Sequence, residues 1–233
     1  MTRPDHLDVE FRADDLPATA TDVVAACGDG LGAAAVWAMP VSSRVAALLT
    51  IVQATCGRDV LEATTVCACG ERTSLELPVA QLIAMSGDPD DVLTMSEGRR
   101  FRRPLGRDQQ RWRERTAERP ADTFAAMVRD LALDRIEGPL SADSIEAIGQ
   151  AFEEFDPLSA LRLDVECAHC GRQQRVAADL QELCLIELLR VRERRVREVH
   201  VLARAYGWSE ESILALSNGR RQLYLRLIDE ARR

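Results

Sequence analysis

The chain contains no lysine; all 30 of its basic residues are arginine. Alanine is abundant, so this bias reads as coding composition, and no function is attached to arginine over lysine. No run of eighteen apolar residues occurs, which excludes a membrane-spanning helix. No apolar stretch follows Met1-Thr2-Arg3-Pro4-Asp5-His6, so no secretory signal is expected. There are three histidines, His6, His169 and His200, and no His-Glu-x-x-His. A glycine-rich phosphate loop and a Gly-x-Ser-x-Gly elbow are also missing. These absences argue against a metalloprotease, a nucleotide-binding enzyme or a serine hydrolase, and the chain reads as a non-enzyme.

The seven cysteines carry the main signal. Four of them fall in two short turns about a hundred residues apart. The first is Val66-Cys67-Ala68-Cys69-Gly70, the second Glu166-Cys167-Ala168-His169-Cys170-Gly171. Strand-like sequence flanks each turn, and an apolar helix start follows. Aligning Cys69-Gly70 with Cys170-Gly171 gives a weak internal repeat of strand, turn, strand and helix. A Cys-x-x-Cys-Gly turn sets both thiolates on one side, and its glycine allows the positive φ of a tight turn. Cys67, Cys69, Cys167 and Cys170 together supply enough sulfur for a closed, structural zinc site. His169 is a fifth candidate ligand, whereas His200 reads as a packed or capping residue. Two other readings stay open, buried reduced thiols and a disulfide. A thioredoxin-like role fits poorly, because that motif opens a helix beside a parallel strand. Seven cysteines without a signal favour a reducing, cytoplasmic compartment, and metal over disulfides.

The net charge of −8 is unevenly distributed. Residues 1–98 carry −10, residues 99–119 carry +6 and residues 120–233 carry −4. A general polyanion binder is therefore not expected; one segment alone is basic. The bland reading of that segment is a solvated strand and helix start balancing the acidic first third.

The predicted fold class is α+β, a mostly helical body with two short Cys-turn β-hairpins forming a zinc-ribbon-like site. Residues 1–39 read as an N-terminal arm and short helix. Residues 40–233 read as one composite domain: a helix plus the first Cys hairpin (40–85), the basic strip and a helical insertion (86–158), then the second Cys hairpin and C-terminal helices (159–233). Val45, Leu48, Leu49 and Val52 share a helical face, with Ser42 or Ser43 as cap and Gly57 as stop. A strand at Val92 to Met95 can pair with one at Arg100 to Arg103. Phe124, Met127, Val128, Leu131 and Ile136 line one helix, and Ile145, Ile148, Phe152 and Phe155 another. Leu180 to Tyr206 reads as a single long helix. Ser209 caps the next, with Trp208 stapled to Ile213, and Asn218-Gly219 turns the chain again. The carboxylates are placed on helix surfaces.

The run from Val196 to Ser217, centred on Ala205-Tyr206-Gly207-Trp208-Ser209-Glu210, together with Arg221-Gln222-Leu223-Tyr224-Leu225, resembles the C-terminus of the T4-family baseplate hub assembly chaperones. The resemblance takes in the two Cys turns, Pro40-Val41-Ser42-Ser43-Arg44 and Phe101-Arg102-Arg103-Pro104, and so spans most of residues 40–228. It departs at the first turn, where Cys-Pro-x-Cys-Gly is usual and Cys67-Ala68-Cys69-Gly70 stands here. It implies a helper that binds baseplate hub or spike proteins of a contractile phage tail or injection particle. On that basis Arg99, Arg100, Arg102 and Arg103, and the Arg190–Arg197 face with Trp208 beside it, are the candidate partner-binding residues. Three competing readings remain: a zinc-containing helix-turn-helix DNA-binding regulator, a redox protein using Cys67/Cys69 or Cys167/Cys170, and a permanent baseplate component. Glu210-Glu211 and the acidic last half argue against nucleic acid.

Overall fold

The computed structural model describes residues 9–118 and 123–231. The first eight residues of the expected arm, His6 among them, lie outside the described residues.

The largest core forms around α3 (Val41–Cys56). Val45, Leu48, Leu49 and Val52 are all buried there, as their spacing predicts. Each such burial is worth about 1.5–3 kcal/mol. Gly57 ends the helix in the left-handed conformation. Its N-terminus is not capped by Ser42 or Ser43: Pro40 takes the cap position, and Val41 N–H donates to Pro104 O at 2.8 Å. A carbonyl from a distant loop thus satisfies a donor that sequence neighbours were expected to serve.

Against α3 lie α1 (Leu16–Cys27), α4 (Val79–Ala84) and the first half of α8 (Leu180–Tyr206). Helix α1 starts inside the segment expected to be a loose arm. Asp15 caps it by accepting from Ala18 N–H, and Ala20, Val23 and Val24 are buried in the main core. The region before Pro40, including α2 (Ala33–Ala38), is therefore part of the body.

Arg44 of α3 is wholly buried. It donates to Gln109 Oε1, Pro17 O and Thr21 Oγ1, and stacks over Trp37. Burial pulls its pKa down to about 10, still far above neutrality, so the cation persists.

A second, smaller core holds Phe101, Val128, Leu131 and Ile148. It is built from the paired strands β3 (Val92–Thr94) and β4 (Arg100–Arg102), with α5 (Gly106–Glu118), α6 (Thr123–Leu131) and α7 (Ala142–Phe155). Ser141 caps α7 by accepting from Ser144 N–H. Of the predicted α6 face, Val128 and Leu131 turn inward while Phe124 is exposed.

Helix α8 runs about 40 Å at 1.5 Å per residue, from the main core to a third cluster. Gly207 stops it at φ 68. Leu202 then packs with Ile213 of α9 (Glu210–Leu214) and Ile228 of α10 (Asn218–Ala231). Ser209 caps α9, and Trp208 lies against that cluster as the staple predicts. Asn218 and Gly219 open α10 rather than forming a turn before it.

The remaining strands make two separate antiparallel hairpins. One joins β1 (Val60–Val66) to β2 (Arg72–Pro78), the other β5 (Arg162–Glu166) to β6 (Gln173–Ala177). The class is α+β, with the Cys turns at the two hairpin tips. No helix among the described residues is long and apolar enough to cross a membrane.

Candidate metal centre

The two hairpin tips are built alike. In the first, Val66 pairs with Arg72, Cys67 N–H donates to Glu71 O at 2.8 Å, and Gly70 N–H donates to Cys67 O at 2.8 Å. In the second, Glu166 pairs with Gln173, Cys167 N–H donates to Arg172 O at 3.0 Å, and Gly171 N–H donates to Cys167 O at 2.8 Å. Gly70 and Gly171 both have positive φ, 91° and 68°. Ordinary side chains avoid that region, which explains glycine after each second cysteine. The extra residue of the second turn is absorbed by a wider backbone ring, closed from Gly171 rather than one position earlier. The shorter Cys67-Ala68-Cys69 spacing thus still delivers two sulfurs to one side.

All four sulfurs converge. Cys67 Sγ lies 3.7 Å from Cys170 Sγ, and Cys69 Sγ lies 3.7 Å from Cys167 Sγ. The four sulfurs sit within 4.8 Å of one another. An ion bound tetrahedrally by thiolates at about 2.3 Å has S···S edges of about 3.8 Å, so the set fits a four-sulfur metal site. Cys67 and Cys167 are buried, while Cys69 and Cys170 face outward. His169, exposed within the second turn, is outside the cluster, and His200 is exposed on α8.

The backbone prepares the site for negative charge. The N–H groups of Cys170 and His169 donate to Cys167 sulfur and bring its pKa down to about 6. Cys69 moves the other way, to about 12. The Glu71 N–H favours its thiolate, but burial and the three neighbouring sulfurs outweigh that donor. A cation at the centre would favour the thiolate of Cys69 against its neighbouring sulfurs. Cys27, Cys56 and Cys184 lie elsewhere, and burial raises the pKa of each.

The expected basic docking strip divides. Arg99 is half-exposed beside Glu97 at 3.6 Å, and Arg100 forms an exposed two-point pair with Asp134. Arg102 turns inward, bonding Asp108 at 2.5 Å and Asp130 O at 3.0 Å. Arg103 is buried against Asp156 at 2.5 Å, donates to Asp88 O and packs on the Phe155 ring. Strand alternation explains part of this. Phe101 points into the second core and Arg100 away from it, while Arg102 and Arg103 find carboxylates inside.

Those carboxylates are a correction as well. Asp108 and Asp156 are buried, not on helix surfaces, and so are Glu187 and Glu198. Burial opposes ionisation of Asp108, yet Arg102, the Leu105 N–H and Arg111 hold its pKa below the usual range. Acid spacing alone gave no sign of Arg103 for Asp156 or Arg221 for Glu198, because those pairs are distant in sequence.

Trp208 is half-buried, stacked on Tyr206 at 4.7 Å and edge-on to Tyr224 at 4.9 Å. Comparison with protein-family models, with curated proteins and with solved structures finds no match.

Proposed function

We propose that Cys67, Cys69, Cys167 and Cys170 hold a structural zinc ion, and that the protein is a non-enzymatic assembly chaperone or component for the baseplate hub of a phage-like contractile tail or injection particle. The observation that carries the metal reading is the meeting of four sulfurs from two hairpins at tetrahedral spacing. Four thiolates close the coordination shell, so the ion would supply cross-linking and no open position for a reacting group. Its chemistry would be charge neutralisation among the thiolates. The chain's own part is to aim the amides of His169, Cys170 and Glu71 at the sulfurs.

The baseplate reading rests on the resemblance of the Ala205–Glu210 run, of Arg221–Leu225 and of the Cys turns. Its action would be protein–protein binding to a hub or spike subunit in the cytoplasm. Arg99, Arg100 and Trp208 retain exposure for that role, whereas Arg102 and Arg103 serve internal pairing. The helix-turn-helix regulator draws less support: α9 spans only five residues and carries exposed Glu210 and Glu211 where phosphates would lie.

Two measurements test the reading. Elemental analysis of the purified protein should find about one zinc per chain. The tagged protein, expressed beside its own neighbouring genes, should co-purify with a tail hub or spike subunit. Absence of sheath, tube and spike genes from that neighbourhood, with no such subunit recovered, would remove the baseplate assignment and leave the metal assignment standing.

A further inference from the structure

We propose that α10 is a self-association helix, on which a second copy of this chain packs antiparallel through one stripe of side chains. Arg220, Leu223, Leu227 and Glu230 are spaced by three, four and three residues. At about 100° per residue they fall within about 80° of one another, on one line along the helix. All four are exposed, Leu223 to 48% and Leu227 to 46%. The face turned to the body is a different one. There Tyr224, Leu225 and Ile228 pack toward Leu202 and Ile213, and Arg221 bonds Glu198.

The stripe is its own complement. Turned end for end about a two-fold axis near Leu225, it sets Leu223 against the second copy's Leu227, and Arg220 against the second copy's Glu230, each contact occurring twice. A parallel copy would bring like charges together instead.

The two charges also stand at the wrong ends of their own helix. Helix α10 has no acid in its first turn and no base in its last. Arg220 lies at the positive N-terminal end and Glu230 at the negative C-terminal end, so each opposes the helix dipole. Neither forms an ion pair or a side-chain hydrogen bond among the described residues. An antiparallel copy supplies each with its opposite charge and lays the two helix dipoles against each other. This complementarity selects a second copy over an unrelated partner.

One flank of the stripe is aromatic. Tyr224 lies one turn from Leu227, and Tyr206, itself exposed, meets its ring edge-on at 5.6 Å. Near the axis Tyr224 of one copy would come beside Tyr224 of the other, which widens the contact beyond the leucines. Arg226 borders the other flank, within a turn of Asp229 and Glu230, which offset its charge. One helix pair buries less than a standard interface, so a micromolar dimer is expected. The inference goes beyond the metal and baseplate readings and depends on neither.

Sedimentation velocity of the full chain from about 1 to 200 µM tests it. The parent chain should shift from monomer to dimer across that range. Arg220→Glu and Glu230→Arg each create two like-charge contacts across the axis and should weaken the dimer by about tenfold. The double variant Arg220→Glu/Glu230→Arg restores both contacts with signs reversed, and should return to within about threefold of the parent. Leu227→Asp should leave monomer alone. Circular dichroism verifies that each variant is folded; if Leu227→Asp is not, the charge-swap set decides, since both of its residues are exposed and unpaired in the single chain. A parent chain that stays monomeric, a dimer that survives Leu227→Asp, or a double variant no tighter than the single ones overturns the proposal. A tail subunit that co-purifies with a monomeric parent and is lost in Leu227→Asp would assign the stripe to that subunit and overturn the second copy. Dimerisation rescued by the double variant, with no tail subunit recovered, would uphold the proposal and count against the baseplate reading alone.

Discussion

Arg103 and Asp156 form an ion pair in which both side chains are shut away from water, 2% and 1% exposed. They are 53 positions apart and tie the end of β4 to the turn that follows α7. The pair converts part of an apparently basic surface into internal scaffolding.

Removing one partner of such a pair strands the other charge in the interior. Asp156→Ala should therefore cost about 3–5 kcal/mol. Asp134→Ala, which breaks the exposed pair with Arg100, should cost far less, because water and salt screen that pair. Urea midpoints of the two variants make the comparison, and equal costs would contradict the burial of Arg103.

Loss of a single sulfur should release the metal. Cys69→Ser is expected to lose bound zinc and to lower the thermal midpoint, whereas Cys184→Ala keeps its zinc. Titration of thiols in native protein should show four groups that react only once a chelator is added. Four groups reactive from the start would mean that the cluster holds no ion.

Alkaline pH should act through Cys184. Burial pushes this thiol up to about 12, above its ordinary value near 9. A raised folded pKa contributes stability that is complete below pH 9 and is lost as pH climbs toward 12. Stability measured by urea across that range should fall in the parent chain and fall less in Cys184→Ala. Parallel slopes would assign the alkaline loss to another group.

Two glycines should respond in opposite directions to alanine. Gly207 sits at φ 68 as the stop of α8, so Gly207→Ala costs about 1 kcal/mol from backbone strain. Gly149 lies in the middle of α7 with open space around its Cα, so Gly149→Ala stabilises by about 0.5–1 kcal/mol. Differential thermal shifts of opposite sign are the expected readout.

Local patterns carried much of the fold. The spacing of Val45, Leu48, Leu49 and Val52, the single long helix from Leu180 to Tyr206 and the Ser209 cap appear in the structure as they read in the chain. The strands of all three hairpins and the two cysteine turns were legible for the same reason, since turn chemistry is local, and the meeting of the turns followed from the four ligands a closed site needs. What failed to show was long-range pairing. Asp156 and Asp108 look like ordinary acids until Arg103 and Arg102 are folded onto them. Pro104 O gave no hint that it would serve Val41 N–H, and so Ser42 and Ser43 were assigned a cap they do not make. Helix α1 was hidden by a polar, proline-containing start. Contact with α2, α3, α5 and α8 makes its Thr19–Val24 face a buried one.

The sulfur cluster also sets a timetable for synthesis. Cys67 and Cys69 leave the ribosome about a hundred residues before Cys167 and Cys170, with the whole second core translated between them. A four-thiolate shell therefore cannot form before Cys170 has been made. An ion that locks the hairpin tips would then fasten the main body before α8 to α10 are complete. The segment between the tips is meanwhile a closed ring, free to vary in length without disturbing its fastening.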